Sequence, residues 1–142
     1  MVLGKEAILR YVESGAIQIK PFVKDHLREA SVVFSLSSKL LILDVEGSFS
    51  QLTMNEHGYV LEPGGFVIGY TNEHLKLDVS VCAIFNTRRA YARLGIDALQ
   101  TDTFAEPGTD NIIELSIRNG GPSSVTLMPN MSLVKVFFQQ VL

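Results

Sequence analysis

Apolar and polar positions along this chain follow two rhythms. Over residues 4–15, Ala7, Leu9, Tyr11 and Val12 mix with Lys5, Glu6, Arg10 and Glu13, and Ile8 and Val12 stand four apart. That spacing predicts one short helix, with Gly15 as its left-handed stop. Residues 16–21 then alternate like a short strand, which Pro21 confines to an edge or an end. From residue 30 onward short apolar or alternating runs recur, at 30–36, 39–43, 57–61, 65–71, 79–85, 111–118, 123–127 and 131–138. Turn residues separate them, among them Pro63-Gly64, Pro107-Gly108 and Asn119-Gly120. Many short strands at this spacing predict an all-β sandwich or a closed double-sheet barrel. One segment breaks the pattern. Residues 87–95 are rich in helix formers and end in Gly95, which predicts a helical turn or two between strands. No repeat or linker interrupts the pattern, so residues 1–142 are expected to form a single domain.

Composition narrows the class. Hydrophobic residues make up 46% of the 142 residues, which excludes intrinsic disorder. Charged residues are 19%, against roughly 25% in an ordinary soluble domain. Charge is depleted at interface cores, so the shortfall points to surface covered by partner subunits. The net charge of −3 does not favour a nucleic-acid polymer as partner, although a local basic cluster could still hold phosphate. The single cysteine, Cys82, allows no disulfide within the chain and fits a reducing compartment. No apolar run approaches the ~20 residues of a membrane span. The start of the chain lacks the pattern of a signal peptide, so a cytoplasmic protein without membrane contact is expected.

Three groups of residues carry candidate chemistry. Arg88, Arg89 and Arg93 place three cations within the 87–95 segment, Arg89 and Arg93 four apart and hence on one helix face. Guanidinium forks match phosphate oxygens, so these arginines make a phosphate site or a solvated, ion-paired face. On the 111–118 strand, Glu114 and Ser116 share a face with Ile112 and Arg118. That polar row lines a cleft, with Glu114 as acid or base, or it faces solvent. Asp102, Glu106 and Asp110 flank Pro107-Gly108, where carboxylates hold a Mg²⁺–phosphate unit or merely shape a turn. His26, His57 and His74 have no metal-ligand spacing, and Cys82 reads as a small buried hydrophobe.

Several ordered motifs resemble one family. The stretch Glu62-Pro-Gly-Gly-Phe-Val-Ile-Gly-Tyr-Thr-Asn-Glu-His-Leu75 resembles the "PG-x-F-x-L-x-x-T-x-E" stretch of dCTP deaminases. Arg88-Arg-Ala-Tyr-Ala-Arg-Leu-Gly95 resembles their "R-S-S-L-A-R-L-G". Pro107-Gly108, Asn119-Gly120 and Pro129-x-Met131 fall where the family has "D-P-G-W", "N-x-G" and "P-G-M". The opening, with Ser14-Gly, Pro21-Phe22 and Ala30-Ser31, matches as well. The resemblance implies the dCTP deaminase/dUTPase superfamily, whose fold is a distorted jelly-roll β-barrel of the dUTPase-like, β-clip type. A short N-terminal helix and one short internal helix would accompany it here. It further implies a homotrimer with sites between subunits. Those sites bind a deoxynucleoside triphosphate such as dCTP, dUTP or dTTP, with Mg²⁺ carried by the nucleotide and no zinc.

Carried over residue by residue, the resemblance keeps Arg88 and Arg93 and alters much else. The family's first serine becomes Arg89, a large cation that grips a phosphate or fills the pocket. Its "D-P-G" aspartate becomes Glu106, the tryptophan that follows becomes Thr109, and the aspartate after "A-S-V" becomes Val33. A glutamine-like position in the last strand becomes Lys135. The catalytic glutamate falls on Ser116, whose hydroxyl is no base near neutral pH. Glu114, two residues away, lies about 7 Å along the strand, too far for an unshifted site. The sequence also stops at Leu142, short of the family's closing tail. The expected function is therefore a dCTP deaminase-like protein that binds a deoxynucleoside triphosphate with reduced or absent catalysis. The alternatives are an active dCTP deaminase or dUTP diphosphatase, using Glu114 or Glu106, and a non-enzymatic trimeric scaffold.

Overall fold

The structure, a computed structural model, describes residues 1–100 and 102–142. Helix α1 (Lys5–Ser14) buries Ile8 completely and ends on Gly15 at φ 84°, a left-handed stop as its sequence predicts. The strands are β1 (Ile17–Lys20), β2 (Val32–Phe34), β3 (Lys39–Leu43), β4 (Phe49–Thr53), β5 (Tyr59–Leu61), β6 (Phe66–Leu77) and β7 (Val81–Thr87). After the single turn α2 (Arg89–Ala92) come β8 (Ile96–Asp97), β9 (Phe104–Ala105), β10 (Asp110–Asn119), β11 (Val125–Leu127) and β12 (Val134–Gln140). The expected all-β class with two short helices is what the chain adopts. The ladders form three sheets that do not join into one closed ring among the described residues. One sheet runs β4-β3-β6-β10-β8 with β1 also on β6, a second runs β2-β12-β7-β9, and β5 pairs β11.

The twelve-residue β6 is the spine, pairing with β1, β3 and β10. Its sequence pattern ends the strand near Thr71, because Thr71 and Glu73 put polar side chains on the inward face. In the fold both are buried and satisfied. The Glu73 carboxylate accepts from Ser35 N at 2.9 Å and Ser35 Oγ at 2.8 Å. Thr71 Oγ1 donates to Glu73 O and accepts from Ile113 N. Buried polar groups with partners cost little, so the alternation continues to Leu77 under a polar disguise. Gly69 sits inside the same face, where a Cβ would lie 2.8 Å from Leu36 Cδ1. The inner faces of the two larger sheets meet in a core that includes Phe34 and Phe85, edge to face at 5.6 Å between ring centres.

Strand β4 escapes the sequence pattern because all five of its residues are exposed. β8 and β9 escape it because two residues show no period.

Candidate functional site

The arginine-bearing segment begins where β7 ends. Arg88 is still extended, α2 makes one turn, and Arg93 closes it before Gly95 turns at φ 93°. Gly95 is required for a second reason: a Cβ there would stand 2.3 Å from Gly121 N. The buried Asn119 side chain fixes the opposing loop. It donates to Leu61 O at 2.9 Å and Ser123 O at 2.8 Å, and accepts from Gly121 N at 3.0 Å. The "A-R-L-G" and "N-G-G" stretches therefore meet backbone to backbone, and this contact aims the arginines.

It aims them apart. Arg88 is half-buried and its guanidinium donates to Ser132 O at 3.2 Å. With Arg28, Arg89 and Lys135 it lines a cleft of about 240 Å³. Arg28 is steadied by donating to Asp25 O. Arg93 lines a different cleft, of about 630 Å³, beside Leu94, Pro122 and Val125. Four-residue spacing predicts one shared helix face for Arg89 and Arg93. Arg93 keeps a helical backbone and its N–H donates to Arg89 O at 3.0 Å, so the two stand one turn apart while their side chains line different clefts.

A third cleft, of about 370 Å³, lies along the outward row of β10. Glu114 and Ser116 line it together with Asp102, Phe104 and Asn111. A bulge between Ile112 and Glu114, where Ile113 N turns to Thr71 Oγ1, resets the register so that Glu114 opposes Tyr70. Burial chiefly, and the Glu114 charge second, push the Tyr70 phenol above its ordinary pKa. Ser116 is not idle. Gln100 N donates to both its carbonyl and its Oγ, each at 3.1 Å, which fastens the 98–100 segment to β10.

The loop carboxylates separate. Of the three, Asp102 lines the cleft with Glu114. Glu106 opens a Pro-Gly turn in which Thr109 N and Oγ1 donate to its carbonyl and Gly108 takes φ 88°. Asp110 pairs with His74 at 3.1 Å across the sheet face. Thus Glu114 and Ser116 share a cleft with Asp102, Arg88 and Arg89 share another, and Arg93 stands in a third.

Sequence reasoning singles out neither Arg28 nor Tyr70. The signal for Arg28 is its place two residues before Ala30-Ser31, on the approach to β2. Tyr70 becomes visible only once the bulge fixes the register. Cys82 is buried on β7, as its surroundings predict. Among the described residues no three His, Cys, Asp or Glu side chains gather as metal ligands, and no helix is long and apolar enough to cross a membrane.

A family model described as dCTP deaminase-like matches residues 2–141. A "dCTP deaminase, dUMP-forming" of Bifidobacterium longum is 28% identical, over 99% of this chain and 80% of its own length. Among solved structures, the 2'-deoxycytidine 5'-triphosphate deaminase of Agrobacterium tumefaciens superposes with a TM-score of 0.77 at 19% identity. That match covers 96% of this chain and 48% of the other, so this chain spans about half the length of that protein. A Staphylococcus bacteriophage 80alpha dUTPase, solved with dUPNHPP, superposes with a TM-score of 0.60 at 10% identity, covering 89% of this chain and 83% of that one. At these identities the two structures show a shared fold.

Proposed function

The chain belongs to the dCTP deaminase-like family, and from that premise we propose that it binds a deoxynucleoside triphosphate in the cytoplasm with reduced or absent catalysis. One observation carries the reading. Where the family's motif places its catalytic glutamate stands Ser116, and its hydroxyl is taken by the Gln100 amide. A hydroxyl held there as a hydrogen-bond acceptor supplies no general base near pH 7. The cationic side of the site is kept and enlarged, with Arg88 joined by Arg28, Arg89 and Lys135. Mg²⁺ would arrive on the phosphates of the nucleotide, since among the described residues no three His, Cys, Asp or Glu side chains gather as metal ligands.

A homotrimer completes this reading. On one chain the cationic and carboxylate clefts are separate, and a neighbouring copy would bring one against the other. Phe104 and Ile112, both exposed at the rim of the Glu114 cleft, supply apolar surface for such a contact.

A second reading, an active divergent dCTP deaminase, has its own observation: Glu114 and Asp102 line the same cleft as Ser116. A carboxylate in that cleft is the group type that general acid or base catalysis requires. The test incubates the protein with dCTP and with dUTP, each with Mg²⁺, and resolves dCTP, dUTP, dUMP and pyrophosphate by chromatography. Binding without turnover supports the proposal. Turnover that survives Ser116→Ala and disappears in Glu114→Gln replaces it with the second reading. Absence of any nucleotide binding leaves a trimeric scaffold.

A further inference from the structure

We propose that β4 is a docking edge for a second copy of this chain. Two β4 strands pair antiparallel about a two-fold axis, with Gln51 facing Gln51, and join the β4-β3-β6-β10-β8 sheets of two copies into one. The pairing goes beyond the nucleotide reading and stands or falls without it.

An edge strand offers a row of free backbone N–H and C=O groups, and folded chains blunt such rows with short strands, charges, prolines or bulges. The other edges here follow that rule. β8 and β9 have two residues each, and β2, β5 and β11 have three. β1 ends in Lys20 before Pro21. Where β10 runs on past β8 it carries Asp110, Glu114 and the bulge. β4 has none of these devices. Phe49-Ser50-Gln51-Leu52-Thr53 holds neither charge nor proline, and its register against β3 is unbroken. Among the described residues β3 is its sole ladder partner.

The ladder decides which groups stand free. Asp44 N donates to Ser48 O at 2.9 Å, and Met54 N donates to Ser38 O at 2.8 Å. Bonded pairs in an antiparallel ladder recur at every second residue, so Ser50 and Leu52 spend their backbone groups on Ile42 and Leu40. Phe49, Gln51 and Thr53 turn theirs to the open edge. Those three positions are self-complementary. With Gln51 opposite Gln51, Phe49 of each copy lies opposite Thr53 of the other, and all three pairs are of the bonded kind. The side chains agree with this register. Phe49, 53% exposed, stands opposite the exposed Leu43 and gains Thr53 of the second copy as a neighbour. The two Gln51 amides each bring a donor and an acceptor to the other.

Charge selects the orientation. Asp44 and Glu46 make the β3–β4 turn acidic, while Lys39 stands opposite Thr53 at the base of the hairpin. Antiparallel pairing sends each acidic turn toward the Lys39 end of the other copy. Parallel pairing would set the two acidic turns side by side.

Sedimentation velocity from micromolar to millimolar concentration tests this. Gln51→Pro deletes an outward N–H and leaves the β3 ladder whole. Gln51→Lys sets like charges across the axis. Val79→Lys, at an exposed apolar position between β6 and β7, is the control. The unmodified chain and the control shift with concentration to a species of twice the mass seen for both Gln51 variants, whether that smaller species is one chain or three. Gln51→Cys, oxidised with diamide, gives a disulfide between chains, because directly opposed strand residues lie within disulfide reach and Cys82 is buried. Absence of doubling, doubling retained in both Gln51 variants, or absence of the cross-link overturns the proposal. A threefold mass ratio assigns the edge to a cyclic contact and overturns it as well. So does binding of a synthetic peptide of residues 47–55 to a chain that does not itself double, which gives the edge to a strand of another protein.

Discussion

The cleft around Arg88 and the cleft around Ser116 are built on opposite treatments of polar groups. In the first, cations gather with no carboxylate among the described residues of the lining, and two of them donate to backbone carbonyls. In the second, the decisive side chain is spent on the fold, because the Ser116 hydroxyl accepts the Gln100 amide and ties a loop to β10. The difference teaches that, under the proposed function, grip and proton transfer would make separate demands on this architecture. Grip needs charge at a surface. Proton transfer needs a carboxylate at one strand position with its lone pairs free.

Removing the scaffold common to both clefts has the largest effect. Phe34 is fully buried and meets Phe85 edge to face, and β2 and β7 flank β12 in one sheet. Phe34→Ala is expected to cost about 3–5 kcal/mol. Both clefts should fail together in thermal and urea unfolding, and a loss well under ~1 kcal/mol would mean that the core is not organised as described.

Substitution within the first cleft comes next. Arg88→Ala should weaken binding of dCTP by about 1.5–3 kcal/mol, the range for charge-assisted hydrogen bonds, with a smaller loss of stability from the bond to Ser132 O. An unaltered affinity in calorimetry would take Arg88 out of the phosphate grip.

Ser116 provides the contrasting measurement. Ser116→Ala should lower stability by at most about 0.5–1.5 kcal/mol, because Gln100 N keeps the Ser116 carbonyl as an acceptor, with no change in dCTP affinity. The reverse outcome, unchanged stability with altered binding, would place the hydroxyl on the ligand and erase the contrast between the clefts.

The smallest effect concerns Tyr70. Burial and then Glu114 raise its phenol above the ordinary 10.0. The folded chain therefore keeps a proton that the unfolded chain releases above about pH 10, so this group's contribution makes stability fall as pH rises past that point. Carbon NMR of ring-labelled tyrosine should show the Glu114→Gln variant titrating lower than the parent but still above 10.0, because burial remains. An unmoved titration would separate Glu114 from Tyr70 and undo the bulged register.

Much of this contrast is legible in the sequence, for physical reasons that differ by region. The stop at Gly15, the turn at Pro107-Gly108 and the strand β3 follow from local chemistry and stand where the pattern puts them. The long β6 does not, because Thr71 and Glu73 are polar inside, and only their distant partners Ser35 and Ile113 make that tolerable. For the site, motif positions locate Arg88 and Ser116 along the chain, yet which cleft each arginine lines depends on the packing around α2, including the Gly95–Gly121 contact. Arg28 joins Arg88 only through β2 and β12, a pairing between opposite ends of the chain that no local period carries.

The central claim is the proposal that a nucleotide is held with reduced or absent turnover. Its most direct test is a single-turnover incubation of dCTP and Mg²⁺ with excess protein, the nucleotide being released by denaturation and resolved by chromatography. The account predicts that dCTP bound to the protein is recovered unchanged. Complete conversion of the bound dCTP to dUTP or dUMP within seconds, as an efficient enzyme gives, would contradict it.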